Sequence, residues 1–312
     1  MTTAAILALG CALAGCVGEA YMPPDPPPGD VLEVQGSIDV DVTWSGTVHI
    51  IGDVTIAPGV TVTVEPGAFI QGADGVFLRT QGILDVAGTI EAPVSMYPMP
   101  GATAWGGVTA ESGGAVSMRY VVGEHVATLL FCKDGATDCT MSNITFLHLG
   151  GAIETNAPAL IEYSRFEDMA NGGIYVKAGG DLTINESYVL TSDHDLIITG
   201  GGSRLTFDHS EVGGAQGSYE HCNFHLGAAD YISITNSNII SSVYAMMIGN
   251  TNGAIVQYNN IMDNDNDIDP VGPNTAVDLR YNYWSRGAPN LGADYDTSSP
   301  AAEFIADSGP SW

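Results

Sequence analysis

The sequence predicts an all-β fold, a right-handed parallel β-helix with coils of about 20–27 residues, and three observations predict it. Ser164, Ser187, Ser210, Ser237, Asn260 and Asn282 recur at spacings of 23, 23, 27, 23 and 22 residues. Around each, apolar and polar residues alternate with period two, the pattern of a short strand with one face inward. The chain also holds 39 glycines among 312 residues, a composition suited to many tight turns rather than long helices.

Taken in order, residues 1–15 read as an export signal: the run from Thr2 to Gly15 is apolar but too short to span a bilayer comfortably. Its end, Leu13-Ala14-Gly15-Cys16, resembles the lipobox of bacterial lipoproteins. That resemblance implies cleavage before Cys16 and lipidation of that residue. With Val17 rather than Asp after it, the sorting pattern of such lipoproteins implies the outer membrane or cell surface. Residues 16–30 form a tether, because YMPPDPPPGD places five prolines in ten residues and favours extended polyproline II.

Residues 31–285 carry the β-helix pattern. Five residues before each Ser/Asn stand Ala159, Leu182, Leu205, Ile232, Ile255 and Val277. Three before stand Ile161, Ile184, Phe207, Ile234, Gln257 and Leu279, and two after stand Phe166, Val189, Val212, Ile239, Met262 and Trp284. Only Gln257 interrupts these columns. A further column, Ile174, Ile197, Phe224 and Met247, aligns once four extra residues in the Gly213–Glu220 region are allowed for. Stacked about 4.8 Å apart, the aliphatic columns become inner ladders and the Ser/Asn column a ladder of mutually hydrogen-bonded side chains at a bend. A propeller would need a period of about 40–50 residues, and none is visible. Residues 286–312 follow as an extension or cap.

The earlier half keeps the pattern in shorter pieces, GDVTIAPGVTVTVEPGAFIQG and TQGILDVAGTIEAPVSMYP, cut by glycines at 52, 59, 67, 82 and 88. With Ala104-Trp105-Gly106-Gly107-Val108 and Asn282-Tyr283-Trp284, these passages resemble the pectate-lyase-like superfamily, and more narrowly the β-helix repeat lipoproteins of bacterial surfaces. The superfamily implies the fold but no single activity, since its scaffold carries lyases, hydrolases, epimerases, adhesins and spacers.

Candidate chemistry clusters late in the chain. Removing the four-residue insertion puts His194 and His221 on adjacent coils, with Asn171, Tyr244 and Asp267 extending their column and Asp193 stacked on Glu220 beside it. Imidazoles and carboxylates in one patch could bind a metal or run acid/base chemistry; they also read as polar turn residues on a solvated ridge. Ser192-Asp193-His194-Asp195 resembles the Asp-Pro-His-Asp/Glu motif of alginate epimerases at His194 and Asp195. The candidate catalytic set is therefore Asp193, His194, Asp195, Glu220 and His221. Asp263, Asp265, Asp267 and Asp269 alternate like the oxygen donors of a calcium loop, which makes calcium the one cofactor candidate; an acidic solvated turn is the other reading. Cys132 and Cys139 bracket a turn-rich loop and suit a local disulfide outside the cytoplasm, while Cys222 reads as a small buried hydrophobe.

Eight Lys+Arg against 36 Asp+Glu give a net charge of −28, which excludes nucleic-acid binding through phosphate neutralisation. The same scarcity of cations argues against lyase or epimerase action on uronates, because a polyanion is repelled. The expected function is a surface-anchored lipoprotein whose β-helix contacts glycan, adheres to another cell-surface protein or serves a structural role. The alternative is a polysaccharide-active enzyme.

Overall fold

A computed structural model describes residues 24–215, 221–251 and 253–312. The segment read as an export signal, Cys16 and Glu220 lie outside the described residues; of the segment read as a tether, residues 24–30 are described and form no strand. The chain is a right-handed parallel β-solenoid of about 10 turns, with no helix among the described residues.

Each full coil contributes one strand to each of three parallel sheets. In one coil these are Pro158–Glu162, Arg165–Met169 and Ile174–Val176. The next coil lays Asp181–Asn185, Tyr188–Ser192 and Ile197–Thr199 on them in register. Inner ladders form because the alternation turns the same columns inward: Ile161, Ile184, Phe207 and Ile234 are all fully buried. Every coil shares its core with the two beside it, so the hydrophobic interior runs the length of the solenoid.

The chain bends between the first and second sheets through a residue in the left-handed region: Tyr120, Asn143, Tyr163, Glu186, His209, Asn236, Tyr258 and Tyr281, with φ between 41 and 64°. The Ser/Asn ladder follows one residue later. Each serine Oγ donates to the carbonyl two residues back and accepts the N–H of the preceding coil's equivalent, as when Ser164 N donates to Ser187 Oγ at 3.1 Å. The ladder thus runs from side chain to backbone rather than between hydroxyls, because each bend leaves an N–H to be met without a stacked carbonyl.

Two registers differ from the sequence reading. The ladder passes through Asn259, not Asn260: Asn259 Oδ1 accepts Ser237 N at 3.0 Å, and Asn282 Oδ1 accepts Asn259 N at 2.9 Å. Asn260 instead stacks on Asn238 and binds Ile305 of the chain's end through both its amide atoms. The inner columns accordingly continue through Ala254, Val256 and Ile261, all fully buried, while Ile255 faces out. The interruption at Gln257 disappears with this shift. Likewise Met246, not Met247, continues the column of Ile174, Ile197 and Phe224.

The end of the chain first adds Tyr295–Asp296 to Val277–Asp278, then runs back along the first bend. Gly309 N donates to Asn236 O, and Trp312 sets its ring edge on Tyr188 at 5.4 Å. Cys132 and Cys139 form a disulfide that closes the turn between the third sheet and the first.

Candidate functional site

The second bend, from the second sheet to the third, gathers much of the titratable chemistry. Its column of left-handed residues holds His125, His148 and Asp168, with φ of 54, 52 and 62°. Stacking of successive coils brings them together: the His125 and His148 rings lie 5.1 Å apart and nearly parallel, and His148 Nδ1 meets Asp168 Oδ2 at 2.5 Å. Burial, and then the neighbouring His148, hold the His125 imidazole below its ordinary pKa against the pull of Asp168. A base oriented by a carboxylate and stacked on a second imidazole is thereby assembled on three consecutive coils.

These side chains line a groove. A hollow of about 430 Å³ is bounded by His125, His148, Asp168, Asn171 and Asp193. It shares Ala127, Gly150 and Asn171 with a second of about 250 Å³, whose wall includes Glu154 and Tyr175. It shares His148 and Asp168 with a third of about 290 Å³ that reaches Glu167. Glycines make the floor because the coils close there: a Cβ on Gly150 would lie 2.2 Å from Ala127 O, and one on Gly173 2.4 Å from Leu196 O. Tyr175 is 42% exposed at the lip, with the Lys177 ammonium 5.9 Å from its ring and paired to Glu154.

His194 and His221 do lie on adjacent coils, in an edge-to-face contact with ring centroids 4.8 Å apart and the planes at 76°. Their column does not run on to Tyr244 and Asp267, however. The register pairs Tyr244 with Cys222 and with Asn266, which leaves Val243 and Asp265 above His221. The offset arises because the coil that follows His221 spans 22 residues, as from Phe224 to Met246, and not the 23 that a ladder through Asn260 implies. The partner of Asp193 in the Asp193–Glu220 stack lies outside the described residues; Asp193 itself faces the groove.

Asp195 turns away from that groove toward the next coil. Its Oδ1 accepts the Cys222 N–H at 2.9 Å and lies 3.2 Å from Cys222 Sγ, and its Oδ2 meets His225 Nδ1 at 3.1 Å. His221 Nδ1 stands 3.4 Å from Oδ1. Burial alone would raise the Asp195 pKa, but these hydrogen bonds outweigh it and lower it to about 2. Cys222 is buried and unoxidised, and burial, followed by the Asp195 charge, pushes its thiol pKa far up.

The acidic run is spread over the fold. Asp263 and Asp265 are exposed beside Ser241 and Ser242 around a hollow of about 240 Å³. Asn264 between them turns inward, accepting Ser242 N at 3.1 Å and donating to Ile239 O at 3.0 Å. Asp267 is mostly buried, its carboxyl pKa raised by that burial against the pull of Arg286, and Asp269 lies on the third sheet in register with Met247. Among the described residues, three donors of the His, Cys and acid types converge within 4.8 Å at Asp195, Cys222 and His225, not along this run.

Sequence reasoning missed His125 and His148. Their separation of 23 residues equals the coil period and was the available signal. The step from His148 to Asp168 is 20, so the third member falls out of phase with the serine count. Comparison with family profiles, with curated proteins and with solved structures gives no match for this chain.

Proposed function

We propose that this chain is an exported, lipid-anchored surface module whose β-helix holds a neutral glycan chain in the groove at its second bend. The observation that carries this is the lining of the groove. Tyr175 offers an apolar ring face at the lip, while Asn171, Asp193, His148 and Asp168 offer hydrogen-bonding groups along a glycine floor. Sugars present apolar ring faces and rings of hydroxyls, and a concave site with a few convergent polar groups suits both. The groove crosses several stacked coils, so a polymer can lie along it. Anchoring rests on Leu13-Ala14-Gly15-Cys16, and the Cys132–Cys139 disulfide suits an oxidising exterior. The net charge of −28 favours an uncharged partner over a polyanion.

A second reading, a polysaccharide-active enzyme, is favoured by one feature, the His148–Asp168 pair stacked on His125. A single assay separates the two. A panel of neutral and acidic glycans is scored for both retention and product release, with Tyr175→Ala and His148→Ala alongside. The module reading expects retention without products, weakened about tenfold by Tyr175→Ala through the loss of about 1.4 kcal/mol of ring contact. Product release that disappears in His148→Ala would replace it with the enzyme reading. Neither retention nor release on any glycan would contradict both. Cys16→Ser should release the protein from membranes; continued membrane fractionation at mature size would remove the anchor.

A further inference from the structure

The Asp195 cluster has a composition that a carboxylate capping one N–H does not require. It brings a thiol, a carboxylate and imidazoles to one point between two coils, independently of any glycan in the groove. We infer that Asp195, Cys222 and His225, with His221 as a fourth donor, form a binding site for a divalent transition metal of the zinc type.

Geometry supports this first. Ligand bonds of about 2.0–2.3 Å in a tetrahedral zinc site place neighbouring donor atoms roughly 3.3–3.8 Å apart. Asp195 Oδ1 lies 3.2 Å from Cys222 Sγ and 3.4 Å from His221 Nδ1, and Asp195 Oδ2 lies 3.1 Å from His225 Nδ1. The Asp195, Cys222 and His225 donor atoms all fall within 4.8 Å of one another.

Donor chemistry points the same way. A thiolate with imidazoles and one carboxylate suits zinc, cobalt or nickel and not calcium or magnesium, which take oxygen donors. The cluster also has one shielded and one open side: the side chains of Asp195 and His221 are 17% and 14% exposed and that of His225 is 42% exposed. An ion can enter past His225 while the other donors hold it. Binding exchanges protons for the metal: Cys222 Sγ–H and any proton on His225 leave to solvent as the metal–sulfur and metal–nitrogen bonds form, so affinity falls as pH falls. The ion would tie Asp195 to the strand Cys222–Gly227 of the next coil, just after the four-residue insertion.

The test titrates the full chain with cobalt(II) alone, then with zinc(II) as competitor. One equivalent of cobalt should produce a thiolate-to-metal charge-transfer band with the visible bands of tetrahedral cobalt, and zinc should displace it. Cys222→Ala should abolish the charge-transfer band, since Cys132 and Cys139 stay joined in their disulfide and every other cysteine is the same in both proteins. His225→Ala, at the exposed position, should weaken binding at least about tenfold with circular dichroism unchanged, which keeps the test informative if Cys222→Ala misfolds. Glu91→Gln, an exposed carboxylate far from the cluster, should leave binding unchanged. Absence of the band, its persistence in Cys222→Ala, or equal affinity in His225→Ala would overturn the site.

Discussion

Asp195 carries opposing demands, because burial disfavours its charge while His225 and the Cys222 N–H favour it. The favourable side prevails. Its folded pKa of about 2 lies below the unfolded value of about 3.9, so its stabilisation is present above the unfolded value and is lost as pH falls through about 2. The His225 pKa is raised, first by its hydrogen bond to Asp195, so its contribution is full below about 6.5 and fades as pH rises through the higher folded value. For metal-free protein, the unfolding free-energy difference between wild type and Asp195→Asn should therefore peak between about pH 4 and 6.5, at on the order of 2 kcal/mol, and decline on both sides. Chemical denaturation across that range checks it, and a difference independent of pH would refute the pairing. Asn259 makes the second residue-scale test. Removing its amide leaves the N–H of Ser237 and the carbonyl of Ile234 unmet in the core, so Asn259→Ala should cost roughly 1–3 kcal/mol in the same assay. A neutral result would mean the ladder does not pass there. Two asparagines stand side by side at 259 and 260, and counting coils of unequal length cannot choose between them. The choice was nevertheless legible, because only Asn259 puts Ala254, Val256 and Ile261 in the inner columns.

At the scale of elements, the strands and the first bend were legible and the second bend was not. Period-two alternation writes the inner ladders into the sequence, since each apolar side chain at Ile161, Ile184, Phe207 and Ile234 must face inward. The bends depend on left-handed residues as unlike as Tyr163, Glu186 and His209, imposed by coil geometry against local preference. The Ser/Asn ladder announces the first bend, but no residue type announces the second, where His125, His148 and Asp168 follow one another, which is why the groove there stayed hidden. The last segment behaves similarly. Phe304 meets Tyr283 edge-on at 6.3 Å, Ile305 bonds Asn260, and Ser311 N donates to Glu186 Oε2 at 2.7 Å, contacts that join parts of the chain up to 125 residues apart. Deleting 304–312 should lower the thermal midpoint by a few degrees, about 1 kcal/mol or more for a chain of this size, and expose Tyr188. Calorimetry with tyrosine accessibility measures both. An unchanged midpoint would show that this segment contributes nothing to the solenoid.

Across the whole molecule, a triangular solenoid presents three bends, and they differ in chemistry. The first carries the exposed rings of Tyr163, Tyr258 and Tyr281, of which the last two stack 5.2 Å apart, and is partly covered by the end of the chain. The second carries the histidine–aspartate column and the groove. The central claim is that the second bend is where a glycan sits, and amide hydrogen exchange tests it most directly. Exchange would be compared with and without whichever glycan the panel retains. Protection confined to 125–128, 148–151 and 168–175 is the predicted result; protection centred on Tyr163, Tyr258 and Tyr281, with those segments unchanged, would contradict it.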